Sequence, residues 1–132
     1  MFKRIFSFAA ALFTVLLAGC FSPDNNYLEA QDFADHLKRD GLPVGDVRTI
    51  PPDPFRANSA VAIKVGDSEI GVYKYDRSTE TQKKRIEKLA LTKRTYIAGI
   101  PYPVVVHGSF MIFGLEKNKH KRAILKTLEN FK

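Results

Sequence analysis

Ala60-Val61-Ala62-Ile63-Lys64-Val65-Gly66-Asp67-Ser68-Glu69-Ile70-Gly71-Val72-Tyr73-Lys74-Tyr75 is the stretch on which the fold turns. Val61, Ile63 and Val65 alternate with their neighbours, so they share one face of an extended chain. Gly66-Asp67-Ser68 reverses direction, and the return run sets Ile70 and Val72 opposite Tyr73 and Tyr75. Period-two patterning on both sides of a turn predicts a β-hairpin. A hairpin buries one face only against something else, so the segments around it must supply the cover.

Those segments read as helices. Thr79 to Leu91 opens on Thr79 and Gln82 at capping-box spacing and turns Ile86, Leu89 and Ala90 inward. Upstream, Asn26 to Asp40 pairs Asn26 with Glu29, repeats Tyr27, Ala30, Phe33, Ala34 and Leu37 at helical intervals, and stops at Gly41. Asn118 starts a last helix with Ile124, Leu125, Leu128 and Phe131 inward. Between the last two helices, Arg94 to Ile100 passes through Pro101-Tyr102-Pro103 into Val104-Val105-Val106. A turn at His107-Gly108 then leads to Ser109 to Leu115. Pro43, Pro51, Pro52 and Pro54 make residues 42–58 an ordered loop with a short strand at Val47 to Ile50 at most. The expectation is an α+β two-layer sandwich, ordered helix, hairpin, helix, hairpin, helix, with a mainly antiparallel four-stranded sheet. Val104 to Val106 and Phe110 to Phe113 are apolar on both faces, as strands covered on each side are. If helices cover only one face, the other shows an aromatic patch.

The chain has 132 residues and one cysteine, which bounds it to one domain and excludes an internal disulfide or a multi-cysteine zinc site. Its first residues read as an address. Lys3 and Arg4 precede Ile5 to Leu17, where eleven of thirteen residues are apolar, and Leu17-Ala18-Gly19-Cys20 follows. A basic start, a short apolar run and small residues make a secretory signal peptide, and the run falls short of the ~20 residues a spanning helix needs.

Leu17-Ala18-Gly19-Cys20 resembles the lipobox of bacterial lipoproteins at all four positions. The resemblance implies cleavage after Gly19 and a diacylglycerol on the Cys20 thiol. Phe21, where an aspartate would resemble an inner-membrane retention signal, implies the outer membrane facing the periplasm. In a one-membrane bacterium it implies the outer face of the cell membrane. The expected organisation is a signal peptide at 1–19, lipidated Cys20 and a short tether to residue 26, and a single domain at 27–132. With its early helix, the strand Glu69-Ile70-Gly71-Val72-Tyr73-Lys74-Tyr75-Asp76, and the turn-and-strand unit from Ile100 to Gly114, the chain resembles small bacterial lipoproteins of uncharacterised function. That family implies a fold and a location, and no activity.

Removal of Lys3 and Arg4 takes the formal charge from +7 to +5. Phe21 to Asp76 holds six basic against ten acidic residues (net −4), and Arg77 to Lys132 thirteen against four (net +9). Lys83, Lys84, Arg85 and Lys88 on one helix, and Lys119, Lys121, Arg122 and Lys126 on another, are candidates for contact with an anionic polymer or lipid phosphates. Ordinary solvated helix faces have the same composition, and Glu80 with Lys84 is a mixed-sign pair of that kind. Tyr73, Tyr75, Tyr96 and Tyr102 are candidates for an aromatic face toward a glycan or peptide, with cross-strand packing as the other reading.

Chemistry-bearing sets are sparse. No serine sits in a nucleophile elbow. Glu29, Asp32 and His36 share helical spacing suited to acid–base work or a weak metal site, and equally to a solvated helix face. His107 in a turn and His120 in a cationic first turn have no carboxylate at motif spacing. No metal, cofactor, catalytic set or nucleic-acid partner is expected. The expected function is a non-enzymatic, lipid-anchored binding or accessory module of the bacterial envelope, with the membrane and a protein or cell-wall polymer as partners. An inhibitor or immunity lipoprotein that blocks an envelope or secreted enzyme is the alternative, and a small hydrolase using His36 the third.

Overall fold

The computed structural model describes residues 24–132; the signal peptide assigned to 1–19, Cys20 and the start of the tether lie outside the described residues. The elements are α1 (Asp32–Arg39), β1 (Val44–Thr49), β2 (Ser59–Val65), β3 (Ser68–Lys74), α2 (Glu80–Thr92), β4 (Arg94–Ile97), β5 (Ile100–His107), β6 (Phe110–Phe113) and α3 (Lys121–Glu129). Short 3₁₀ turns at Asp53–Phe55 and Leu115–Lys117 complete the set.

The strands form one six-stranded antiparallel sheet in the order β1-β2-β3-β6-β5-β4. It consists of two three-stranded meanders, each preceded by a helix, joined through their last strands β3 and β6. This corrects the four-stranded sheet and the helix–hairpin alternation expected from the sequence. In the sequence β1 reads only as a short strand at Val47 to Ile50 inside a loop, because prolines surround it. Pro43 and Pro51 flank the strand, and none interrupts it. β1 is also an edge strand, with a register shift between Val44 and Val47 and almost no burial to impose a pattern. β4 was hidden because Arg94 to Ile100 is two strands. The chain reverses at Ala98 and Gly99, with φ of 51° and 79°, and a two-residue hairpin turn needs that pair of positive values.

Both faces of the sheet are covered, so the two-layer expectation is also corrected. Val61, Ile63, Val65, Ile70, Val72, Phe110 and Ile112 meet Phe33, Ala34 and Leu37 of α1 and Ile124 and Leu128 of α3. On the other face Ala60, Tyr73, Tyr75, Val104 and Met111 meet Ile86 and Leu89 of α2 and Phe55 of the 3₁₀ turn. Central strands that are apolar on both sides require this second cover. The Gln82 and Arg85 side chains donate to the Arg56 carbonyl and hold α2 against that 3₁₀ segment.

The first helix begins at Asp32, six residues later than its capping spacing predicts. Asn25 and Asn26 are spent on distant partners instead. Asn25, with no exposed surface, donates from Nδ2 to the His107 and Phe131 carbonyls at 3.2 and 3.0 Å and accepts from the Ser109 N–H at 2.8 Å. Asn26 Oδ1 accepts from the Arg77 N–H and the Ser109 hydroxyl, and its Nδ2 donates to Asp76. Gly108 is required here, since a Cβ at that position would collide with the Asn25 amide. Asn25 and Asn26, expected to belong to a tether, are therefore part of the folded domain. From Asn25 the chain is locked to the β5–β6 turn, the end of β3 and the C-terminal Phe131.

Candidate functional site

Two ends of the sheet follow from this lock. The proximal end carries Asn25, the β5–β6 turn and Phe131. β5 runs toward it, and its first residue, Ile100, pairs with Ile97 at the opposite end. The seven steps from His107 to Ile100, at ~3.4 Å each, separate the two ends by about 24 Å. β5 pairs with β6 only from Val104 onward, while residues 94–103 pair solely with each other. The β4–β5 hairpin thus projects past the body of the sheet as a two-stranded arm.

Exposed apolar side chains gather on and beside this arm. Tyr96 is 64% exposed, Ile100 55%, Ile97 41%, and Leu91 at the end of α2 85%. Ala98 holds the left-handed conformation in a turn where Asn, Asp or Gly is the usual occupant. The run Tyr96 to Val106 contains no charged residue. At the base, where β6 stops and β5 continues, Tyr102, Pro103, Phe113, Gly114, Glu116 and Lys117 line a groove of about 220 Å³. Its floor belongs to an aromatic row. Tyr102 lies 5.8 Å from Phe113, Phe113 lies 5.3 Å from Phe55, and Phe55 meets Tyr73 edge-on at 4.8 Å. Gly71 makes room for the end of the row, because a Cβ there would strike the Tyr73 ring at 2.8 Å.

The four tyrosines grouped from the sequence do not form one exposed face, which corrects that expectation. Tyr73 is 7% exposed and Tyr75 fully buried, with its hydroxyl donating to the Phe55 carbonyl at 2.6 Å. Burial drives the Tyr75 phenol far above its ordinary range, and the nearby Tyr73 adds to the effect. Tyr102 faces the groove, and Tyr96, one pleat out of phase, pairs with Pro101 and is open to solvent. The α2 cover, legible only in three dimensions, is what buries the first two.

The basic candidates divide by face. Lys83, Lys84, Arg85 and Lys88 belong to α2, whereas Lys121, Arg122 and Lys126 belong to α3 and Lys119 just precedes it. These helices cover opposite faces of the sheet, so no single flat anionic surface touches both sets at once. Two of the set are paired in any case, Lys119 with Asp67 at 3.4 Å and Lys121 with Glu116 at 3.1 Å.

The Glu29, Asp32 and His36 trio does not converge. The Asp32 carboxylate accepts the Glu29 N–H at 2.7 Å, the Glu29 carboxylate turns to Lys74 at 3.4 Å, and His36 packs edge-on against Phe131 at 4.8 Å. Among the described residues no group of three His, Cys, Asp or Glu side chains converges as a metal site. No helix among them is long and apolar enough to cross a membrane. Desolvation holds the His107 imidazole below its ordinary value, with Lys132 adding to the effect and Glu129 opposing it. His120 contacts the Gly66 turn, where a Cβ would meet its ring.

The β4–β5 arm is the feature that reading the sequence missed. The signal for it was present in Ile97-Ala98-Gly99-Ile100, one isoleucine on each side of a glycine-containing dipeptide. Comparison of the chain with protein-family models, curated proteins and solved structures gives no match.

Proposed function

We propose that this protein is a non-enzymatic binding module of the bacterial envelope, lipidated on Cys20 and engaging a protein partner through the β4–β5 arm. The observation that carries the reading is the concentration of Tyr96, Ile97 and Ile100 on one projecting element, with Leu91 at the end of α2 beside it. That element lies at the end of the sheet opposite the point where the chain enters the domain. Exposed apolar clusters of this kind mark interaction sites. The position adds a geometric reason. The five steps from Cys20 to Asn25 span at most about 18 Å, at ~3.5 Å each. An anchor on Cys20 then holds the proximal end beside the lipid and turns the arm toward the aqueous side. Two or more acyl chains make such an anchor stable. The Phe21 signal supports the outer membrane, periplasmic side, as the location.

The projecting shape also favours a second reading, an inhibitor or immunity lipoprotein. A two-stranded arm with an apolar tip enters an enzyme cleft as readily as it meets an open surface. Both readings are tested by one pair of measurements. The full chain is expressed in a bacterium with an alkyne fatty acid, with a photoreactive residue at Ile97 or, as a control, at the exposed Lys64. The wild type is expected to incorporate label and Cys20→Ser is not. Crosslinks to one protein are expected from position 97 and not from position 64. Label retained in Cys20→Ser removes the anchor, and equal crosslinking from both positions removes the arm.

A further inference from the structure

We infer that the occupant of the arm is an extended protein segment, apolar along most of its length and acidic at the end that meets Lys93 and Arg94, which docks along β4 as a seventh strand. This rests on the binding-module reading and names the mode of contact. The Val104 N–H donates to the Lys93 carbonyl at 3.0 Å. With the register Arg94↔Pro103 and Thr95↔Tyr102, that bond makes Thr95 and Ile97 the residues that exchange hydrogen bonds with β5. The N–H groups of Arg94 and Tyr96 and the Tyr96 carbonyl then point away from the sheet, along its open edge. The Arg94 carbonyl already receives the Thr92 hydroxyl.

The other side of the arm is closed to pairing. Pro101 and Pro103 occupy the β5 positions whose N–H groups would point toward the space past β6, and proline has none to offer. Strand addition is therefore possible on β4 and blocked beside β5. Side chains for recognition stand on the same edge, with Tyr96 and Ile97 exposed on alternate faces.

Charge decides the occupant. Between Glu87 and Glu116 the chain holds no acidic residue, and Lys93 and Arg94 form no ion pair among the described residues. A second copy paired antiparallel on this edge would set the two Lys93-Arg94 pairs no more than a four-residue strand apart, about 14 Å at ~3.4 Å per residue, with no acidic residue between Glu87 and Glu116 to offset them. Short length and basic residues are the usual protection of an edge against its own kind. An acidic flank on a different chain converts the same charges into attraction, which guides encounter and sets specificity.

The test uses the full-length chain in neutral detergent against a displayed library of random ten-residue peptides. Enriched peptides are expected to carry Asp or Glu at one end of an apolar run. Their affinity should fall at least tenfold with Tyr96→Pro, which removes an outward N–H that β5 does not use. It should fall similarly when Lys93 and Arg94 are both replaced by Glu, and at least threefold less for Tyr96→Thr than for Tyr96→Pro, since Thr loses the ring but keeps the backbone donor. Hydrogen exchange at the Arg94 and Tyr96 amides should slow on binding. Absence of enrichment, enrichment without acidic residues, or an unchanged affinity in Tyr96→Pro overturns the inference. So does a wild-type dimer lost in Tyr96→Pro, which makes the occupant a second copy. Binding of the arm to anionic phosphatidylglycerol vesicles in place of peptides overturns it in favour of lipid. If position 97 still crosslinks one protein while Tyr96→Pro has no effect, the binding module stands and strand addition falls.

Discussion

Replacing Asn25 tests whether the chain is locked into the fold immediately after the tether. Its side chain has no exposed surface and makes three hydrogen bonds, to the carbonyls of His107 and Phe131 and from the N–H of Ser109. Asn25→Ala removes the partner of all three groups at once. At about 1 kcal/mol for each bond, the loss is about 3 kcal/mol, before any further penalty for leaving buried groups unpaired. For a domain of this size that lowers Tm by about 10 °C. Asn25→Asp is more revealing. It retains the acceptor toward Ser109 but aims a carboxylate oxygen at two carbonyl oxygens, in a site closed to water. The ionised form is opposed by burial and by those dipoles, so the folded-state pKa of the new carboxyl rises above its unfolded value. A raised carboxyl pKa makes the fold bind the proton more tightly, so stability is lost as pH rises through the unfolded value and the folded one. Urea denaturation followed by circular dichroism should show Asn25→Asp less stable than Asn25→Ala at pH 7.5, with the gap narrowing by pH 5. An Asn25→Ala protein within 1 kcal/mol of wild type, or an Asp variant with no pH dependence of its own, refutes the lock.

Three other outcomes are expected. Phe131→Ala should cost about 3 to 5 kcal/mol in urea denaturation, because Phe131 is fully buried between Phe33 at 5.1 Å and Phe110 at 4.9 Å. Ala98→Asn should stabilise the protein by up to about 1 kcal/mol, measured as a rise in Tm, since Asn tolerates the left-handed turn that Ala98 now holds; the same change should weaken partner crosslinking from position 97 by making the tip polar. The His107 pKa is depressed by desolvation, so the unfolded chain takes up the proton first as pH falls. Stability should be complete above about pH 6.5 and decline below it, in wild type and less in His107→Gln, by urea midpoints at pH 7.5 and 5.5.

The central hairpin was legible because its two strands pair in full register, from Ser59↔Lys74 to Val65↔Ser68, and bury alternate residues. α2 was legible for the same reason, with Ile86 buried where the helical period puts it. β1 carried no such signal. Five of its six residues are exposed, and it is held as a strand by backbone bonds to β2. Prolines 101 and 103 marked a break in the sequence. In the fold they sit inside β5, because their missing donors fall at positions that face no partner. Asn26 and Glu29 satisfied a capping pattern, yet the asparagine found better partners fifty and more residues away.

The amino-acid order by itself determined which local runs become strands or helices wherever one face is buried throughout, because burial prints its period on the chain. It also determined the division into an acidic first half and a basic second half. Only the tertiary structure decided which surfaces remain open. Tyr73 and Tyr75 read like Tyr96 in the sequence, but α2 and the Phe55 turn close over the first two and leave the third in solvent. The two basic helices read alike as candidates for one kind of anionic partner, and they lie on opposite faces. Exposure depends on what the rest of the chain places above a residue, and neighbours in space are not neighbours in sequence.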